Sequence, residues 1–193
     1  VFVFPGGRRD AADRRASGFP AELQPPPGGR VDGATRRALA VYARTALRET
    51  LEETGYLIAA PAAAGPEARV SGIWRRYAER GFAPHFAGMT RLARAITPAE
   101  SPIRFHTRFF LALGSRLERA QEIDGELEDV GWYPAAQAFN EMPLAGISRQ
   151  ILAEALLARR KPAAYAPPLY RSIKDSLMIR CTGAAGGGDA SDA

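Results

Sequence analysis

The chain has one cysteine, Cys181, so neither an internal disulfide framework nor a zinc site built from cysteine thiolates is available to it. Lysine occurs only at 161 and 174. Histidine occurs only at 85 and 106, too far apart in sequence to suggest a two-histidine metal site. No apolar run approaches the ~18 residues that a membrane helix needs. Val1-Phe2-Val3-Phe4, cut off by Pro5-Gly6-Gly7, is too short for a signal peptide. The expected compartment is the cytoplasm, with no membrane partner. What the chain has in quantity is arginine, which dominates 26 basic against 21 acidic residues and gives a net charge of +5. The planar guanidinium suits bidentate phosphate contacts, but GC-rich coding produces the same bias, and net charge speaks to solubility rather than fold. No basic stripe interleaved with stacking aromatics occurs, so nucleic acid is not an expected partner. With 193 residues, 46% of them hydrophobic, there is room for one ordinary globular domain.

Val1–Phe4 reads as the end of a buried strand, because the run is apolar and β-rich and Pro5-Gly6-Gly7 stops it. A chain that opens inside a strand without an initiator Met is expected to lack the first strand of its sheet. Residues 8–33 read as a long loop, punctuated by Pro25-Pro26-Pro27-Gly28-Gly29. Ala34–Thr54 is the strongest helix, free of internal Gly and Pro, with Asp32 as its expected cap and Gly55 as its stop. Ala40, Ala43, Leu47, Leu51 and Thr54 share one stripe of that helix. Glu49, Glu52 and Glu53 lie on the other side, with Tyr42 and Thr45 beneath them.

Further along, Tyr56-Leu57-Ile58 reads as a short strand and 61–66 as an Ala/Pro linker. A short amphipathic helix is expected within 67–80, its aromatics Trp74 and Tyr77, like Phe82 and Phe86, reading as local core rather than as a base-stacking set. Met89–Ile96, Ile103–Leu113 and Glu126–Tyr133 read as strands, with a turn at 120–125. In the second strand Phe105, Thr107, Phe109 and Leu111 share one face and His106, Arg108 and Phe110 the other. Trp132 reads as core. Pro134–Phe139 and Ile147–Arg160 read as helices, while periodicity is lost from Lys161 onward and 183–193 reads as disordered. Strands alternating with helices predict an α/β fold with a mixed sheet between helices.

The chemistry concentrates in Arg48-Glu49-Thr50-Leu51-Glu52-Glu53-Thr54-Gly55. Carboxylates at i, i+3 and i+4 share a helix face and repel one another by a few tenths of a kcal/mol per pair, roughly. A hard divalent cation such as Mg²⁺ or Mn²⁺ among them converts that repulsion into favourable coordination. Arg48, four residues before Glu52, can hold that carboxylate in one rotamer, an orienting role. A bare Glu-x-x-Glu-Glu is otherwise compatible with a solvated helix face.

The full segment resembles the Nudix box, Arg-Glu-U-x-Glu-Glu-x-Gly-U with U aliphatic, and Phe4-Pro5-Gly6-Gly7 resembles the strand end and glycine turn that precede it. Thr50 and Tyr56 depart from the aliphatic positions. An insertion also separates Gly7 from Arg48. The box's first Glu falls on Ala40 when counted back from Arg48 and on Asp13 when counted forward from Gly7. This split arrangement is similar to the subgroup that holds the peroxisomal coenzyme A diphosphatases and their bacterial relatives, as are residues 103–110 and 125–132. The resemblance implies a Nudix-type sandwich over 1–160, with 8–33 and 61–86 inserted and 161–193 as a C-terminal extension.

It also implies hydrolysis of the diphosphate of a nucleoside diphosphate linked to another moiety, with coenzyme A or acyl-CoA as the subgroup's substrate and a homodimer as a compatible assembly. Metal ligation falls to Glu49, Glu52, Glu53 and the Gly7 carbonyl. The general base is one of these glutamates or Glu126, with Glu128 behind it. Asp10 and Asp13 rank lower, because a loop would have to deliver them. Arg104 and Arg108 are candidate phosphate contacts. The rival expectation is a noncatalytic Nudix-fold module that binds nucleotides without turnover.

Overall fold

The computed structural model describes residues 1–15, 33–62, 72–97, 101–112, 117–119, 129–162, 165–173 and 177–181. The Asp32 cap, the turn at 120–125, Glu126, Glu128 and the 183–193 tail lie outside the described residues. A short helix α1 (Ala11–Arg15) precedes the long helix α2 (Gly33–Thr54). Then follow β1 (Tyr56–Pro61), α3 (Trp74–Glu79), β2 (Phe82–Pro84), β3 (Met89–Ile96), β4 (His106–Ala112) and β5 (Leu117–Arg119). The chain continues with α4 (Ala135–Glu141), α5 (Gly146–Arg160), β6 (Leu169–Ile173) and β7 (Leu177–Cys181).

Helix α2 ends where the sequence says it should. Gly55 takes the left-handed conformation (φ 70°), and its N–H donates to the Leu51 carbonyl at 2.9 Å, the bond that satisfies an otherwise orphaned carbonyl at a helix C-terminus. The apolar stripe of α2 is buried at Ala40, Ala43, Leu47 and Leu51. It packs with Leu57 and Ile58 of β1, Trp74 and Tyr77 of α3, and Phe86 and Met89. Each leucine fully buried in this way contributes roughly 1.5–3 kcal/mol relative to exposure.

One sheet runs β4-β3-β6-β7 and a smaller one β2-β1-β5. The pairings of β3 with β4 and of β6 with β7 are antiparallel, whereas β3 with β6 is parallel. The pairing of β3 with β4 skips a residue between Arg91 and Ala93, a bulge that lets Leu92 and Ala93 join the same core. That second core holds Leu92, Ala93 and Ala95 against Ile151 and Ala158 of α5, with Tyr165 and Tyr170. The alternation in β4 holds: Phe109 and Leu111 face the α5 side, while Phe110 and Ala112 pack on the α2 side. The larger sheet is thus layered between α2 and α5.

Several expectations need correction. Val1–Phe4 is not a buried strand: Val1, Val3 and Phe4 are exposed, and a single parallel bridge joins Phe2 to Leu144. Apolar character favoured a strand, but among the described residues only Phe2 finds backbone partners, donating to Pro143 O at 3.0 Å and accepting from Ala145 N at 3.1 Å. Within 8–33, residues 11–15 are helical rather than loop. The described residues 129–133 form no strand, and Asp129 turns there with φ 56°. Trp132 is 68% exposed rather than core, its ring meeting Tyr56 edge-on at 5.6 Å. After Lys161, where periodicity offers nothing, two strands complete the larger sheet.

Glu154 of α5, 4% exposed, ties this last segment down by accepting from the hydroxyls of Tyr165 at 3.0 Å and Tyr170 at 2.7 Å. Among the described residues no helix is long and apolar enough to cross a membrane.

Candidate active site

The last two turns of α2 carry Arg48, Glu49, Glu52 and Glu53, and the Pro5-Gly6-Gly7 turn lies across them. The Gly6 N–H donates to Glu53 Oε2 at 2.9 Å. Gly7 presses so closely on Glu49 that a Cβ at position 7 would overlap the carboxylate; only glycine fits there without displacing Glu49.

Arg48 organises the cluster. Its Nη1 donates to Glu52 Oε2 at 2.8 Å, and its Nη2 lies 2.9 Å from Glu49 Oε1. The same Nη2 donates to the Arg8 carbonyl at 2.7 Å, which fixes the chain just past the glycine turn. On its other side Arg48 Nε donates to Asp13 Oδ1 at 3.0 Å. The i, i+4 pair expected between Arg48 and Glu52 forms, and Arg48 also pairs with Glu49.

Asp13, ranked behind the glutamates as a candidate ligand or base, lies beneath the cluster as the buried partner of Arg48. It is 0% exposed and accepts from Arg48, from Thr45 Oγ1 at 2.9 Å and from the Asp10 N–H at 2.9 Å. Asp10 in turn caps α1 through its own carboxylate, which accepts the Ala12 N–H at 2.6 Å. The signal was available: Asp13 occupies the forward count from Gly7, and Asp10-x-x-Asp13 is a reciprocal capping pattern that closes a short helix. What seemed a loop delivering a carboxylate from afar is a helical turn docked on α2.

The electrostatics follow from this crowding. Burial alone would lower the Arg48 pKa, but the hydrogen bond and charge of Asp13, with the carboxylates of Glu49 and Glu52, outweigh it and raise it further. Burial pushes the Glu49 carboxyl up, an effect that Arg48 opposes and the neighbouring charges of Glu52 and Asp13 reinforce. Arg44 is lowered by burial, with Asp13 opposing. One arginine thus balances several carboxylates, and the cluster carries an excess of negative charge.

The donors fit a divalent ion in kind. Glu49, Glu52 and Glu53 offer hard oxygens, and Gly7 leaves the space in which the Glu49 carboxylate sits. As arranged, Arg48 engages Glu49 and Glu52, and among the described residues no three acidic, histidine or cysteine side chains are already gathered to hold a metal. Glu52, 44% exposed in its side chain, has room to turn.

The arginines expected at phosphate diverge. Arg104 is exposed ahead of β4, whereas Arg108 on β4 stands over the Tyr42 ring at 3.7 Å from its centroid. His106 Nε2 accepts from Arg94 Nε at 3.0 Å.

No protein-family model matches the chain, and no curated protein matches it. Among solved structures it is similar to the crystal structure of a NUDIX hydrolase from Alicyclobacillus acidocaldarius, with 26% identity over 85% of this chain and 81% of that one and a TM-score of 0.60. The fold is accordingly the mixed α/β sandwich of that neighbour, and the likeness supports the Nudix superfamily.

Proposed function

We propose that this chain is a Mg²⁺- or Mn²⁺-dependent hydrolase that cleaves the diphosphate linkage of a nucleoside diphosphate joined to a second moiety, coenzyme A or an acyl derivative being the substrate suggested by the split box. The observation that carries this reading is the gathering of Glu49 and Glu52 on one guanidinium beneath the Gly6-Gly7 turn, with Glu53 bound to that same turn. The likeness to a solved Nudix hydrolase supports a diphosphate hydrolase in kind.

A diphosphate is anionic and kinetically inert, so its hydrolysis needs charge neutralisation, an in-line water and a stabilised leaving phosphate. Glu49, Glu52, Glu53 and the Gly7 carbonyl would hold the ion, which when bound polarises phosphoryl oxygens and lowers the pKa of water. The chain's own contributions are distinct from that chemistry. Arg48 sets the rotamers of Glu49 and Glu52, Asp13 sets Arg48, and the glycine turn brings backbone against the carboxylates without a side chain in the way. A carboxylate of the cluster, or Glu126, accepts the proton of the attacking water. Arg104 and Arg108 supply positive charge toward the anionic substrate.

The test is incubation with Mg²⁺ or Mn²⁺ and a panel comprising coenzyme A, ADP-ribose and dinucleotides, with monophosphate products followed by phosphorus NMR. Monophosphate release that is abolished by chelation is expected; no product from any member at any metal concentration overturns the reading. The second reading, a nucleotide-binding module without turnover, draws on the engagement of Glu49 and Glu52 by Arg48. A ligand-dependent rise in melting temperature without product would favour it.

A further inference from the structure

Exposed apolar side chains gather beside the carboxylate cluster. Val1, Val3 and Phe4 lead into the glycine turn that binds Glu53, and Val130, Trp132 and Tyr133 belong to a second segment, joined to the first where the Phe2 and Tyr133 rings meet at 5.8 Å. Trp132 is the largest of these side chains and is 68% exposed. A lone apolar residue at a surface is ordinary, but an indole set among other exposed apolar groups marks a place where something binds.

Trp132 is held in position from two sides. Tyr133 folds back on the preceding turn, its hydroxyl donating to the Asp129 carbonyl at 3.4 Å, and a Cβ at Gly131 would lie only 3.2 Å from that hydroxyl. Asp129 opens the turn in the left-handed region, which aspartate tolerates better than most residues. On the other side the rings of Trp132 and Tyr56 meet with centroids 5.6 Å apart and planes 75° apart. A contact so near perpendicular covers at most one face of the indole and leaves the other open. Tyr56 follows Glu53 by three residues, no more than about 11 Å of chain, so the indole stands at the margin of the carboxylate cluster.

An open indole face attracts a flat, polarisable ring through dispersion and through the water that both surfaces shed. Every purine or pyrimidine base offers such a face, whereas a ribose or an inorganic phosphate offers none. We propose that Trp132, braced by Tyr56 and by the Asp129–Tyr133 turn, stacks the nucleobase of the substrate and makes the site prefer nucleotide diphosphates to diphosphates that carry no base. The inference rests on the diphosphate-hydrolase reading and adds to that site a binding residue with no part in the bond-breaking step. An indole that only stiffened its own segment would discriminate nothing.

The chain holds two tryptophans, and Trp74 is buried, so Trp132 is the one open to acrylamide. In the full chain with Mg²⁺, adenosine monophosphate is expected to shield Trp132 fluorescence from acrylamide quenching, and ribose 5-phosphate is not. Isothermal titration calorimetry should show adenosine monophosphate binding about tenfold more tightly than ribose 5-phosphate, the gain of one stacked base. Trp132→Leu should bring that ratio close to one, and Trp132→Phe, which keeps a ring, should retain most of it. Neither replacement touches a core side chain. Equal binding of the two ligands, no shielding by millimolar adenosine monophosphate, or a preference that survives Trp132→Leu overturns the platform.

Turnover separates the platform from the hydrolase reading. Trp132→Leu should raise the KM for ADP-ribose about tenfold, with the loss in KM rather than kcat, as removal of uniform binding does. Cleavage with an unmoved KM in the variant sinks the platform and leaves the hydrolase reading intact. Absence of all cleavage sinks the hydrolase reading, and the shielding and calorimetric ratio then still decide the platform.

Discussion

Asp13 offers the sharpest test of how the carboxylate cluster is built. It is wholly buried, and it receives the Arg48 guanidinium, the Thr45 hydroxyl and the Asp10 N–H. Replacing it with Ala leaves a guanidinium that is only 11% exposed without its most buried partner. Breaking a buried ion pair from one side costs about 3–5 kcal/mol. Arg48 keeps Glu49, Glu52 and the Arg8 carbonyl, so the lower end applies, about 3 kcal/mol. For a chain of this size that is a fall in Tm of about 6–12 °C.

Urea unfolding of Asp13→Ala, Arg48→Met and the double variant would isolate the coupling between the two residues, expected at about 2 kcal/mol. There is a functional corollary. Freed from Asp13, Arg48 closes more tightly on Glu49 and Glu52, so the Mg²⁺ concentration for half-maximal activity should rise. A loss of stability under about 0.5 kcal/mol, the range of an ordinary surface substitution, would refute the claim that Asp13 anchors Arg48.

If Glu49 holds the ion as proposed, Gly7→Ala should cut activity by about tenfold or more with only a small change in Tm, because the added methyl displaces the Glu49 carboxylate rather than any core side chain. Glu49→Gln should leave the metal-free protein at least as stable at pH 7 while abolishing turnover. Burial raises this carboxyl's pKa, so its ionisation opposes folding, a penalty that grows as pH rises above about 4.3, the ordinary glutamate value, and vanishes in acid. Melting curves across pH should therefore show parent and variant converging at low pH, and a variant markedly less stable at neutral pH would contradict this. Tyr170→Phe should destabilise by about 1–2 kcal/mol in urea titrations, because it removes one of two hydroxyls donating to the buried Glu154.

Much of the scaffold was legible because its signals are local. The β3 strand matches its expected bounds and α2 differs by one residue, since an uninterrupted apolar stripe and a glycine stop need no distant information. What was hidden depends on partners far away in the chain. Leu169–Ile173 has no strong alternation and becomes a strand by parallel pairing with β3. Val1–Phe4 carries strand composition and finds one bridge among the described residues. Trp132 is a large apolar side chain that composition assigns to the interior, yet it is 68% exposed, its ring set against that of Tyr56. The positions of Glu49, Glu52 and Glu53 on the helix face were legible from spacing. The count from Gly7 and the capping pattern pointed to Asp13, but not to its burial, which depends on a docking that no periodicity encodes.

The parallel seam between β3 and β6 also bears on how the chain comes to be made. Strand β3 acquires its β4 neighbour from residues that follow soon after, but its opposite edge waits for a segment near the end of the chain. During synthesis that edge presents bare amide and carbonyl groups for as long as α4 and α5 take to emerge, an interval in which it can template pairing with another nascent chain. Expression yield should accordingly respond more to slowed translation between β4 and β6 than to any change upstream of β3.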